Sequence, residues 1–154
     1  MTYANILTRY ADAESLNQAI AGDVFNALNL DENLPFSPDS VFVAYGTNDW
    51  RGGRDIRVSA KEYFDKLTRV YPKEQIYAIL PIYRLDLEEP DERTQMPFEK
   101  FRELLSEIAS GYKNVKVVDS WNFVPHRKDF FEDGFLHPND LGFLLYAEAL
   151  KKYL

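Results

Sequence analysis

Apolar side chains recur along this chain with two different periods, and the switches between them predict its elements. Tyr3, Ile6, Leu7 and Tyr10 return at helical spacing, so the chain opens on an amphipathic helix. Residues 15–20 read as a short strand, broken by Ala21-Gly22-Asp23, and residues 24–30 as a helical turn or two. Pro35, Ser37, Pro38 and Asp39 form a loop that delivers the chain into Val41-Phe42-Val43-Ala44-Tyr45. That run is β-branched, aromatic and free of charge, which suits a strand covered on both faces, and Gly46 ends it.

Beyond Trp50, residues 51–55 read as loop. Ser59 and Glu62 have the spacing of a capping box, opening a helix whose inner face is Tyr63, Phe64, Leu67 and Val70 and which stops near Pro72. Residues 75–80 are the next strand, ended by Pro81. A charged connection over residues 84–95 follows, its acidic part a solvated link or a lid. Pro97 suits a first helical position, with Phe98, Phe101, Leu104, Leu105 and Ile108 as the buried stripe up to Gly111. Residues 115–119 are the last strand. A final helix runs from about Pro138, with Phe143, Tyr146, Leu150 and Tyr153 facing inward. Strands alternating with amphipathic helices predict a mainly parallel sheet inside a three-layer α/β/α sandwich.

Composition narrows the function. With 154 residues, 45% hydrophobic and 15% aromatic, the chain can build one packed domain. A formal net charge of -7 argues against general nucleic-acid binding, which needs basic patches to displace counterions. The absence of cysteine removes disulfides, thiolate zinc sites and a thiol nucleophile. No run is long enough to span a bilayer and no signal sequence follows Met1, so the expected location is cytoplasmic unless a signal lies upstream.

Two stretches bear chemistry. Gly46-Thr47-Asn48-Asp49 falls at the carboxyl end of a strand, where open parallel sheets bind ligands. Asp133 to Asn139 carries His137 just ahead of the last helix. An exposed histidine with a nearby carboxylate can transfer protons, and an asparagine amide can donate to developing oxyanion charge. Each alone has a plainer reading: the tetrapeptide as a turn, and His137 as a neighbour of the helix cap. Together they are two of the three parts of an acyl-transfer site. Trp50, Trp121 and Phe123 read as an acyl pocket or as plain packing; His126, Arg51 and Arg54 read as surface loop. Asp49 as a phospho-acceptor lacks the acidic pair such a site needs early in the chain.

These blocks resemble those of the SGNH hydrolases, also called GDSL-like lipases and acylhydrolases. Tyr45-Gly46-Thr47-Asn48-Asp49 is similar to the family's Gly-x-Asn-Asp block, Asp133 to Asn139 to its Asp-x-x-His-Pro block, and Asn17 to Asp23 to the block whose glycine lends a backbone N–H. The resemblance implies that Gly22 and Asn48 are oxyanion donors and His137 the general base, with a small-molecule ester as substrate and neither metal nor organic cofactor. The implied fold is a flavodoxin-like parallel sheet.

The chain departs from that pattern twice. The family's acid stands three residues before the histidine, where this chain has Gly134; Asp133 lies four before. The family's opening strand with its Gly-Asp-Ser nucleophile has no counterpart in the chain, so the domain, residues 1–154, is expected to lack its first strand and to be inactive alone. Ser120, directly after the last predicted strand, is the one serine expected at the right edge. By the resemblance, the missing strand belongs between residues 15–20 and the Val41 strand. Unpaired buried backbone groups cost on the order of 1–3 kcal/mol each, so the gap is expected to be closed. Either the flanking strands pair directly, or a second copy or separate segment donates a strand. A non-catalytic binding module on the same fold is the rival reading.

Overall fold

The computed structural model describes residues 2–35, 37–87 and 93–154. The chain is an α/β protein, a parallel three-stranded sheet with helices packed about it, in the class of a three-layer α/β/α sandwich of reduced size. Its contacts divide it into two compact units, one built on the sheet (Ile20–Pro81 and Asp91–Asp119) and one on the chain ends (Met1–Ala19, Ile82–Pro90 and Ser120–Leu154).

In the sheet unit, β1 (Ser40–Val43), β2 (Gln75–Ile79) and β3 (Val115–Val118) lie side by side in chain order, all parallel. Val41 aligns with Ile76 and Ile76 with Val115; Phe42 aligns with Tyr77 and stacks on it with ring centroids 4.9 Å apart. A short α2 (Thr47–Arg51) follows β1; α3 (Ile56–Val70) and α4 (Phe98–Ser110) pack against each other, and α4 against β3. Ile56, Ala60, Phe64, Ile76 and Ala109 are fully excluded from solvent. These are the apolar stripes of the two helices and the inner positions of the central strand, so the periodicity translates directly into burial.

In the unit of the chain ends, α1 (Tyr3–Ala11) packs on α5 (Asp140–Leu150). The Tyr3 ring lies 4.5 Å from that of Tyr146, which takes the edge of Phe123 at 5.4 Å. Ala147 and Leu150 complete the buried face of α5.

Several expectations are corrected. Residues 15–20 are exposed and irregular, not a strand, with Leu16 and Ile20 half open to solvent. The Asn17 side chain accepts the Ala19 N–H, a local turn bond that competes with a ladder. Direct pairing of that segment with β1 therefore does not occur, and among the described residues β1 pairs with β2 alone. Residues 24–30 hold one 3-10 turn, Ala27–Asn29, capped by Asn26. The helix expected from Ser59 begins earlier: Ile56 is drawn wholly into the core, and Asp55 caps α3 by accepting the Arg57 N–H at 3.0 Å. The last helix, expected from about Pro138, begins at Asp140 with Asn139 as its cap. The acidic connection falls partly on residues 88–92, outside the described residues.

Candidate functional site

Within the sheet unit, the strand-to-helix turn after β1 is made possible by Gly46. Its φ is +113°, and a Cβ there would stand 3.1–3.2 Å from Phe101, Pro81 and Leu105 side-chain atoms. Only glycine suits both the left-handed backbone and the close approach. The tetrapeptide is therefore not a simple turn but the start of α2, whose first hydrogen bond runs from Trp50 N–H to Gly46 O.

Asn48 sits on this helix start with an exposed side chain. One N–H of its Nδ2 donates to the Asp23 carbonyl at 3.0 Å, which fixes the amide and leaves the second N–H available. Gly22 immediately precedes Asp23, exposed, at φ +77° in a turn closed by Asp23 N–H donating to Ile20 O. The structure thus brings together the segments of Gly22 and Asn48, the two residues expected as oxyanion donors.

Four side chains that the motifs did not single out for this purpose, Asp23, Asn29, Tyr45 and Asp49, hold that arrangement. The Asp23 carboxylate accepts from Tyr45 Oη at 2.8 Å and Asn29 Nδ2 at 2.8 Å. Burial acts to raise the Asp23 pKa, but these hydrogen bonds win and lower it below the ordinary carboxylate value. Burial and the Asp23 hydrogen bond push Tyr45 up to about 12. Asp49, fully buried, accepts the Phe25 N–H with both oxygens at 3.2 and 3.3 Å. Its burial excludes the phospho-acceptor role. The sequence signal was the adjacency of Asp23 and Asp49 to the two motif residues, but nothing local says that they turn inward.

In the unit of the chain ends, residues 131–138 form a tight loop. It is closed by a bridge between Phe131 and Pro138 and by Glu132 N–H donating to His137 O at 2.7 Å. Inside it, Asp133 Oδ1 accepts the backbone N–H groups of Phe135, Leu136 and His137 at 3.0, 2.8 and 3.1 Å. Its Oδ2 lies 2.6 Å from His137 Nδ1. Gly134, at φ +81°, supplies the bend that lets the carboxylate reach a ring four residues on.

Burial opposes ionisation of Asp133, but the hydrogen bonds converging on it outweigh that and bring its pKa down to about 2. An ionised carboxylate only accepts, so Nδ1 carries the proton and the lone pair of a neutral His137 sits on Nε2. The ring is largely exposed, at 73%. Leu85 N–H braces this loop through Phe135 O at 3.0 Å.

Of the remaining expected residues, Ser120 is fully buried and is not presented to a substrate in solution. His126 is not free surface: it stacks on Tyr83 with centroids 3.7 Å apart, and its Nε2 donates to Trp121 O at 2.9 Å. Trp50 packs on Phe98 and donates to Met96 O, so it is a packing residue.

A family model for the GDSL-like Lipase/Acylhydrolase family matches residues 1–144. The chain belongs to that family. Among solved structures, a protein from Streptococcus pneumonia is 22% identical over 96% of this chain and 76% of its own, with a TM-score of 0.80. A protein from Lactobacillus plantarum is 18% identical over 100% and 87%, with a TM-score of 0.79. Axe2, an acetylxylan esterase from Geobacillus stearothermophilus, is 16% identical over 99% and 80%, with a TM-score of 0.63. At these identities the likeness shows the fold. No curated protein matches the chain. As a GDSL-like family member the chain has an esterase-type fold, and no helix among its described residues is long and apolar enough to cross a membrane.

Proposed function

We propose that this chain carries the base and oxyanion parts of a serine-ester hydrolase of the SGNH type, acting on a small-molecule ester. The observation that carries the reading is the hydrogen bond from His137 Nδ1 to Asp133, which leaves Nε2 as the proton acceptor. Family membership and the likeness to an acetylxylan esterase support the ester as substrate.

In the proposed reaction, a serine hydroxyl passes its proton to His137 Nε2 as its oxygen adds to the ester carbonyl. Gly22 N–H and Asn48 Nδ2 donate to the oxyanion, and Asp133 stabilises the imidazolium. His137 then gives the proton to the departing alcohol. Water, deprotonated by the same ring, hydrolyses the acyl-serine. No step calls for a metal or an organic cofactor.

The nucleophile is the part that these 154 residues do not supply. They contain no Gly-Asp-Ser, and Ser120 is buried, so the chain alone is inactive in this reading. The same two observations favour a second reading, a non-catalytic binding module on the esterase fold. The outer edge of β1, without a strand partner among the described residues, is where a second copy or a separate segment would add one.

A serine-reactive fluorophosphonate probe separates these readings. The hydrolase reading expects no labelling of this chain and labelling of a version extended by its upstream coding sequence. Labelling of neither establishes the binding module. Labelling of this chain itself overturns the nucleophile assignment.

A further inference from the structure

We propose that Asp49 is the positioning residue of the oxyanion site, its buried carboxylate holding the turn that carries Gly22 against the helix start that carries Asn48. The inference rests on the hydrolase reading for its purpose, but on geometry for its content.

Asp49 is fully excluded from solvent. A buried carboxylate is expensive unless it is satisfied. This one accepts the Phe25 N–H with both oxygens, at 3.2 and 3.3 Å, and its own backbone N–H as well, and the Arg54 Nε lies at 3.7 Å. Desolvation outweighs these partners and raises its pKa. A residue kept for packing alone would not need a charge here.

What the carboxylate holds is specific. Phe25 is three residues beyond Gly22, and its ring is locked between Tyr45, Tyr63 and Phe64 at 5.4–5.9 Å. Its N–H is buried with the residue and needs an acceptor. Asp49 provides it from the position next to Asn48. The turn is therefore tied at Asp23 by Tyr45 and Asn48, and at Phe25 by Asp49. Asp49 is the one of these ties that lies wholly inside the protein, so it sets the distance between the two backbone segments. Among the described residues, the charged and titratable groups facing it are Asp23, Tyr45 and Arg54.

The test is amide NMR and hydrogen exchange on the full chain, with Asp49→Ala and Asp49→Asn. The proposal expects Asp49→Ala to speed exchange at Phe25 about tenfold or more. It also expects the Gly22 amide and the Asn48 side-chain NH2 signals to move, while β3 and α4 signals stay in place. Asp49→Asn, whose Oδ1 can still accept, restores most of both. Unchanged Gly22 and Asn48 signals in folded Asp49→Ala overturn it.

Should Asp49→Ala not fold, a pH titration of the unmodified chain decides. Phe25, Gly22 and Asn48 signals moving together, with a midpoint above the usual carboxylate range, support the proposal; independent movement overturns it. None of these readouts requires ester hydrolysis, so a failure here is distinguishable from a failure of the hydrolase reading.

Discussion

Asp133 and His137 are joined twice: the carboxylate accepts both the backbone N–H of His137, at 3.1 Å, and its ring Nδ1, at 2.6 Å. The first bond places the residue and the second sets its tautomer. One acidic side chain thus determines where the imidazole stands and which nitrogen can take a proton.

The pH dependence of stability follows from this carboxylate. The Asp133 pKa is depressed to about 2, below its unfolded value, so the stabilisation is fully present above the ordinary carboxylate range. It is lost as pH falls through about 2. After allowance for solvent screening it is worth on the order of 1 kcal/mol. Urea titrations of the unmodified chain and Asp133→Asn should differ by about that much at pH 7 and converge towards pH 2.

Gly46→Ala is expected to destabilise strongly. The new methyl meets Phe101, Pro81 and Leu105 atoms at 3.1–3.2 Å while the backbone sits at φ +113°. Crowding and strain together should cost about 2–4 kcal/mol, read from the urea midpoint at unchanged slope.

Ser59→Ala should act the other way. Ser59 lies inside α3, and its buried hydroxyl has no hydrogen-bond partner among the described residues. Removing an unsatisfied polar atom and substituting a better helix former should stabilise by about 0.5–2 kcal/mol, raising the thermal midpoint.

Tyr45→Phe removes the donor to Asp23 and should cost about 1–2 kcal/mol. With the phenol pKa raised to about 12, folding binds the phenolic proton more tightly. Stability from this group is intact below the ordinary tyrosine value and declines as pH rises through about 12. Ultraviolet titration should show one fewer late-titrating phenol in Tyr45→Phe, with Tyr63, Tyr112 and Tyr146, also raised, still contributing.

What the chain's own pattern determined is what depends on near neighbours in sequence. The stripes of α1, α3 and α4 and the apolar runs of β1, β2 and β3 could be read directly, because helical and strand periods decide which side chains can be buried together. Asn48, Asp133 and His137 stood out as polar groups beside those elements, whereas Gly22 was marked only by the resemblance to a family block. Tertiary structure decided the rest. Residues 15–20 read as a short strand, yet a strand exists only where a neighbour accepts its ladder, and among the described residues none does. Ser59 has the spacing of a cap, but burial of Ile56 draws the helix start back to Asp55. Asp49 reads as a turn residue in one dimension; it is inside because the N–H of Phe25, 24 residues away, needs an acceptor there. Local periodicity assigns elements, whereas the satisfaction of buried polar groups is settled only once distant segments have met.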